Sequence, residues 1–363
     1  MRTAPQLASA AVFAVALGLC APGTAAPTPQ GSTPKRLALL RVGDQAPPLE
    51  IAKWVKGASV ESFERGKVYV VEFWATWCMP CIQGMPHLSA LQREYGDKGL
   101  TVVSISCVDN QHNTLEAVEQ MIAQKGELAS YTVAWDDQRY THDAWMNAAG
   151  LNSIPRAFVV DQNGKLAFID HPMFLDEPLE QIVAGKWDIE KGTAALQQAH
   201  ADLASATKRA KENDADGLLA YAEFEAKHPK LARQVDPARF DVALRVGDRD
   251  AVQMIAARWI ESSVANKNYD ELIQLARKIV DPKAIVANRD CELALSAANK
   301  ANELTSGKNA SVLDVLARTY WWKGDNDKAI ELQTQAVELE KSYLKGQFQA
   351  ALAEYKAKLT PAK

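Results

Sequence analysis

The sequence predicts an α/β domain, with a mostly parallel sheet covered by helices on both faces, followed by an all-helical domain. As far as residue 187, strand-like apolar runs alternate with helical segments, and this order builds a parallel sheet. From Thr193 onward Ala, Glu, Lys and Leu dominate, and strand-like runs are few. We place the α/β domain at residues 41–187 and the helical domain at residues 188–363.

Each element of the first domain is predicted from its apolar pattern and the turn residues that bound it. The predicted strands are residues 68–75, 100–108, 131–136, 157–161 and 165–170. The predicted helices are residues 79–95, 115–124, 140–149 and 177–184. The last two strands are separated by an Asn-Gly turn, which predicts a hairpin at the end of the sheet.

The N-terminus has the pattern of an export signal. Arg2 is the only charge before residue 35, residues 8–19 form an apolar run, and residues 22–26 are small or turn-forming. A membrane-spanning helix needs roughly 20 apolar residues, so this shorter run predicts a signal peptide at residues 1–26. A Pro/Ser/Thr/Gly-rich linker follows at residues 27–40. Lipid anchoring at Cys20 is an alternative, although bulky Leu19 stands where a lipoprotein signal has a small residue.

The charge of the chain excludes one class of partner. The formal net charge is -4, and the sequence has no basic tract. Nucleic-acid binding normally requires a basic patch or stripe, so we predict no nucleic-acid partner.

The motif Trp77-Cys78-Met79-Pro80-Cys81 follows the first predicted strand directly. A helix that begins at Cys78 gives this residue free backbone N–H groups and the positive end of the helix dipole, and both favour the thiolate. Two cysteines separated by two residues can also close a short disulfide. The sequence therefore predicts a redox pair in which Cys78 is the nucleophile and Cys81, one turn inside the helix, resolves the mixed disulfide.

Two other interpretations of the cysteine pair stay open. A structural zinc site needs two more ligands, but Cys107 and Cys291 stand alone and the six histidines are scattered, so no metal site is predicted. A permanent structural disulfide is the second alternative. Cys107 is predicted to be a buried free thiol, Cys291 a helix-packing residue, and His171-Pro172-Met173 a loop.

The stretch from Phe73 to Cys81, followed by Pro86, resembles the active site of thioredoxin-like proteins, and most of all the exported TlpA/ResA type of thiol:disulfide oxidoreductase. Segments 42–47, 153–161 and 161–165 resemble the same type, in the same order. The resemblance implies a thioredoxin fold, a bacterial periplasmic location and no cofactor beyond the cysteine pair. It also implies a disulfide-containing protein as substrate and a membrane thiol reductase as electron donor.

The resemblance also assigns roles to residues outside the motif. Glu72 lies in an otherwise apolar strand, at the position of a buried acid that accepts the proton of the resolving thiol. The alternative is a carboxylate at a strand end that faces water. Pro155 resembles the cis-proline that faces the cysteine pair, which leaves the backbone of Ile154 free to pair with an extended substrate segment. The predicted substrate surface comprises Trp77, Met79, Pro80, Ile154 and Arg156.

The helical region contains a partial repeat. Three small or apolar residues recur after 35 residues, a spacing close to the about 34 of tetratricopeptide repeats: Ala294, Ala301 and Leu304 become Ala329, Ala336 and Leu339. Gln333 and Lys341 depart from the pattern of that repeat. A tetratricopeptide-like array could bind a protein partner on its concave surface, or it could pack only against itself or the first domain.

These observations predict an exported thiol:disulfide oxidoreductase that reduces protein disulfides. Pro80 and Ile154 resemble reductants more than oxidants. A binding scaffold, in which the first domain docks clients without turnover, is an alternative. A thiol peroxidase is disfavoured, because Val71 and Ala75 stand where a peroxidase has proline and threonine before its reactive cysteine.

Overall fold

A computed structural model describes residues 39–341 and 344–359 of the chain. The predicted signal peptide, with Cys20, and most of the predicted linker lie outside the described residues. Within the described ranges, no helix is both long and apolar enough to cross a membrane.

One sheet of six strands forms the centre of the first domain. In chain order the strands are β1 (Lys53–Lys56), β2 (Val68–Trp74), β3 (Leu100–Cys107), β4 (Thr132–Asp136), β5 (Arg156–Val160) and β6 (Leu166–Asp170). Their order in the sheet is β1-β4-β3-β2-β5-β6. All five predicted strands are present. The sheet is mixed rather than mostly parallel, because β3 is parallel to β2 and β4 while β1, β5 and β6 each join antiparallel.

Four helical segments accompany the sheet, as the sequence predicts. They are α1 (Met79–Tyr95), α2 (Leu115–Lys125), α3 (Tyr140–His142), which continues as a π-helical turn over Asp143–Asn147, and α4 (Asp176–Val183). Every residue of β2 is buried, and alternate side chains enter different apolar clusters. Val70 packs in the cluster that contains α1, whereas Val71 packs in the cluster on the opposite face. A strand covered on both faces explains the uninterrupted apolar run in this part of the sequence.

In the described residues after α4, nine helices follow: α5 (Ile189–Glu212), α6 (Asp214–Lys227), α7 (Ala232–Val246), α8 (Arg249–Ala265), α9 (Tyr269–Val280), α10 (Cys291–Leu304), α11 (Ala310–Lys323), α12 (Asn326–Leu339) and α13 (Lys345–Leu359). Most begin after an aspartate or asparagine whose side chain accepts a backbone N–H bond of the first turn. Such caps set the start of each helix.

The apolar core does not end with the first domain. Met85 of α1, Phe224 of α6 and Val235 of α7 belong to a single buried cluster, so α5 to α7 pack on the α1 face of the sheet. A separate cluster begins in α7 at Phe240 and continues into α13. The first apolar cluster therefore gives way to the second within α7. The domain boundary at residue 187 stays a prediction.

The 35-residue repeat coincides with two helices of equal length, α10 and α12. Ala294 and Ala329 are both fully buried. Gln333, which departs from the repeat pattern, is also buried, and its amide donates to Asp314 Oδ1 at 3.0 Å and to the carbonyl of Phe348 in α13 at 3.1 Å. Packing of α13 thus accounts for the polar residue, and the tetratricopeptide-like assignment stays a prediction.

Candidate active site

Cys78 and Cys81 form a disulfide at the start of α1, with their Cα atoms 5.3 Å apart. Cys78 is the N-cap of the helix, and its Sγ accepts the backbone N–H of Cys81 at 3.3 Å. Pro80 occupies the first turn, where a missing N–H costs nothing. The first turn contains no acidic residue, so the positive end of the dipole acts fully on Cys78. In the reduced state this environment favours the Cys78 thiolate.

The disulfide lies beneath an exposed apolar rim. Cys78 and Cys81 are each only 3% exposed, whereas Trp77 is 42% and Met79 58% exposed. Pro80 is exposed as well. The use of these side chains as a substrate surface stays a prediction.

Side chains of the loop after β3 form hydrogen bonds with the segment just before Cys78. The indole N–H of Trp77 donates to Asp109 Oδ2 at 2.6 Å, and the backbone N–H of Thr76 donates to Asn113 Oδ1 at 2.9 Å. Asn113 in turn donates to Ser106 Oγ at 2.8 Å. Neither Asp109 nor Asn113 was predicted as a site residue. These two residues could have been found from the parallel pairing of β2 and β3. The loops that follow two parallel strands lie at the same end of the sheet, so polar residues in them come close together.

Glu72 is buried in the middle of the sheet, with 2% exposure, so the alternative of a carboxylate that faces water is wrong. It lies between Val70 and Trp74, whose side chains share the core cluster of Cys81 on the α1 face. Ser104 Oγ donates to Glu72 Oε2 at 2.6 Å. Burial raises the pKa of Glu72 to about 8, and the Ser104 hydrogen bond opposes this rise. The role of proton acceptor stays a prediction.

The Ile154–Pro155 peptide bond is cis, as predicted. Arg156 in β5 pairs with Phe73 in β2. The cis bond directly before Arg156 therefore lies near the C-terminal end of β2, from which the chain continues to Cys78. The Arg156 guanidinium is engaged within the protein, because Nη1 lies 3.2 Å from Asp170 Oδ1. The predicted contact of Arg156 with substrate stays a prediction.

The sequence also led to predictions for the two other cysteines of the described residues, Cys107 and Cys291, and for the loop at His171. Cys107 is a buried free thiol, as predicted, and burial raises its pKa to about 11. Cys291 is free and half-buried at the start of α10. His171 precedes a short 3-10 turn and Nδ1 accepts the backbone N–H of Met173, so the predicted loop is confirmed. Among the described residues, no group of His, Cys, Asp and Glu side chains is arranged to hold a metal ion.

Comparison with known proteins gives matches over the first domain. Residues 41–178 match the Redoxin family. Protein FixW of Rhizobium leguminosarum is 26% identical over 151 residues, which cover 41% of this chain and 68% of FixW. Thiol-disulfide oxidoreductase ResA of Geobacillus thermodenitrificans is 29% identical over 117 residues, which cover 32% of this chain and 62% of ResA. A solved structure of a putative thiol:disulfide interchange protein DsbE from Chlorobium tepidum aligns over 41% of this chain and 99% of that chain, with 28% identity and a TM-score of 0.34.

The sheet, the cysteine disulfide at the start of α1 and the Redoxin match define a thioredoxin-like thiol:disulfide oxidoreductase domain. Within this class, residues 41–178 are similar to the ResA type. The matched residues end within α4, so the match does not extend to helices α5 to α13.

Proposed function

We propose that this protein is an exported reductant of protein disulfides that works through the Cys78–Cys81 pair. The observation that carries the proposal is the position of the pair at an uncompensated helix N-terminus, on the same sheet face as a buried Glu72. The first feature favours a nucleophilic thiolate, and the second provides a base for the resolving thiol.

The reaction proceeds in two exchanges. The Cys78 thiolate attacks one sulfur of the substrate disulfide, the substrate S–S bond breaks, and the departing substrate thiolate takes up a proton. The Cys81 thiol then gives its proton to the Glu72 carboxylate, and its sulfur attacks Cys78 Sγ. The internal disulfide forms, the second substrate thiol leaves, and two electrons have passed to the substrate.

The direction of electron flow and the location belong to the same proposal. The signal-like N-terminus and the ResA-type domain support export to the periplasm. Pro80 within the motif and Ile154 before the cis-proline favour a reductant, which a membrane thiol reductase would recharge. We assign substrate binding to the exposed rim and to the Ile154 backbone, which can pair with an extended segment. Helices α8 to α13 share the second core cluster with the end of α7, and we assign them to partner choice.

A trapping experiment tests the proposed function. Cys81→Ser removes the resolving thiol, so the mixed disulfide between Cys78 and the substrate cannot be released and is expected to accumulate in cells. Non-reducing electrophoresis and mass spectrometry would identify the adduct and its cysteine.

The matched control is Cys78→Ser/Cys81→Ser, which is expected to form no adduct. Adducts on Cys107 or Cys291 in place of Cys78 would contradict the proposal. The absence of adducts, together with no reduction of insulin by the native protein, would instead support a docking scaffold.

A further inference from the structure

We infer that Ser104 is a positioning residue for the resolving step: its hydroxyl holds the buried Glu72 carboxylate and stabilises the charged form that accepts the Cys81 proton. The inference rests on the proposed function, in which Glu72 is that acceptor.

The sheet register places the two side chains together. Ser104 of β3 pairs directly with Glu72 of β2, and their oxygens lie 2.6 Å apart. Val102, two residues before Ser104, belongs to the core cluster that contains Cys81, so Ser104 also lies on the α1 face. Ser104 is 1% exposed. In the part of the chain that the structure describes, Ser104 is the one hydrogen-bond donor to the Glu72 carboxylate.

Burial without a hydrogen-bond donor favours the protonated form of a carboxyl group, which cannot accept a proton. Burial raises the pKa of Glu72 to about 8, and the hydroxyl of Ser104 lowers it. The opposing effects of burial and of the Ser104 hydrogen bond set the pKa of Glu72. This pKa matters because a free thiol has a pKa of about 8.5, and proton transfer is most efficient between groups of similar pKa.

One other titratable side chain, Tyr131, interacts with Glu72. Tyr131 precedes β4 in the same core cluster, and its hydroxyl is buried beside Ser104 but outside hydrogen-bonding geometry, with no partner among the described residues. Burial and the neighbouring Glu72 charge raise the pKa of Tyr131 well above its ordinary value. Tyr131 therefore stays neutral while Glu72 titrates, and the pH dependence of resolution can be assigned to Glu72 and the thiols.

The proton step is balanced within the site. The S–H bond of Cys81 breaks, its proton forms an O–H bond on the Glu72 carboxylate, and the electron pair left on sulfur forms the bond to Cys78. The substrate thiolate that leaves takes up a proton, and Glu72 returns to the carboxylate. Loss of the Ser104 hydroxyl raises the pKa of Glu72, so a smaller fraction is ionised at pH 7.

The test follows one turnover of the reduced protein with a small aromatic disulfide that releases a coloured thiolate. The first release reports attack by Cys78, and the second reports resolution by Cys81. Ser104→Ala is expected to leave the first release unchanged and to slow the second roughly ten-fold at pH 7. The inflection of the second rate is expected at higher pH than in the native protein.

Three further variants separate this role from a structural one. Ser104→Thr keeps a hydroxyl and is expected to preserve the native profile, whereas Ser104→Val has nearly the same shape without it and is expected to behave like Ser104→Ala. The Thr/Val pair decides the question if Ser104→Ala is unstable. Ser263→Ala removes another buried serine that donates to a glutamate, Glu271 Oε2 at 2.7 Å, and is expected to leave both releases unchanged.

An identical second release and inflection in the Thr and Val variants would overturn the inference. The proposed function fails differently, because the native protein itself would then give no second release.

Discussion

Replacement of Cys78 by serine is expected to abolish disulfide reduction, with a loss of at least about a thousand-fold in turnover. Cys78 is the cysteine at the helix N-terminus, and a serine hydroxyl at this position is neither ionised near neutral pH nor able to form a disulfide. Cys81 cannot replace it as the entering nucleophile, because it lies one turn inside α1 and does not have the N-cap position of Cys78. Insulin reduction by the purified protein, with a chemical thiol as electron donor, measures the loss.

Cys107→Ser is the matched control, because Cys107 is another buried cysteine of the same domain but forms no disulfide. It is expected to retain native turnover. Substantial reduction of insulin by the Cys78→Ser variant, or its loss on replacement of Cys107, would refute the assignment of the nucleophile.

Glu72→Gln is expected to slow the resolving step about a hundred-fold near neutral pH, while the first attack by Cys78 changes little. Glutamine has nearly the same shape and can still accept the Ser104 hydroxyl, but it cannot take the proton of Cys81. The two releases from an aromatic disulfide distinguish the steps. Equal second rates in the native and variant proteins from pH 6 to 9 would show that another group accepts the proton.

The same variant gives an equilibrium test on the oxidised protein, in which the cysteines do not titrate. The pKa of Glu72 is about 8 in the folded state, against an ordinary value of 4.5, so between these values the folded state binds one proton more than the unfolded state. The contribution of Glu72 to the free energy of unfolding therefore falls as pH rises, by up to about 1.4 kcal/mol per pH unit.

Glu72→Gln removes this contribution. Denaturant unfolding at pH 5 and pH 8 is expected to show that the variant gains stability relative to the native protein as pH rises. A difference between the two proteins that does not change with pH would contradict a raised pKa for Glu72.

The site was predictable where its chemistry requires particular residues close together in sequence. The cysteine motif lies directly after an apolar strand, and a lone acid in that strand indicated Glu72 before its burial was known. Ser104 carried no such signal, because a serine in an apolar strand is ordinary and only the pairing of β2 with β3 brings it opposite Glu72. The substrate role predicted for Arg156 did not anticipate its ion pair with Asp170, 14 residues away along a hairpin.

The fold shows the same difference between local and long-range information. The helix over Met79–Tyr95 is predicted to the residue, because its start is fixed by the motif. Strand β1 was not predicted, because its four residues include lysines at both ends and gain their structure from pairing with β4. The composition after Thr193 predicted a helical region but not the packing of α5 to α7 on the α1 face, since an apolar helix face does not specify what covers it.

In the proposed function, the Cys78–Cys81 pair supplies two electrons to a protein disulfide. The most direct measurement incubates the fully reduced protein with insulin without oxygen or another reductant, and then maps and counts all cysteines by mass spectrometry. We expect one Cys78–Cys81 disulfide for each insulin disulfide reduced, with Cys107 and Cys291 still free. Insulin thiols that appear without a matching Cys78–Cys81 disulfide, or a reduced pair that leaves insulin intact, would contradict it.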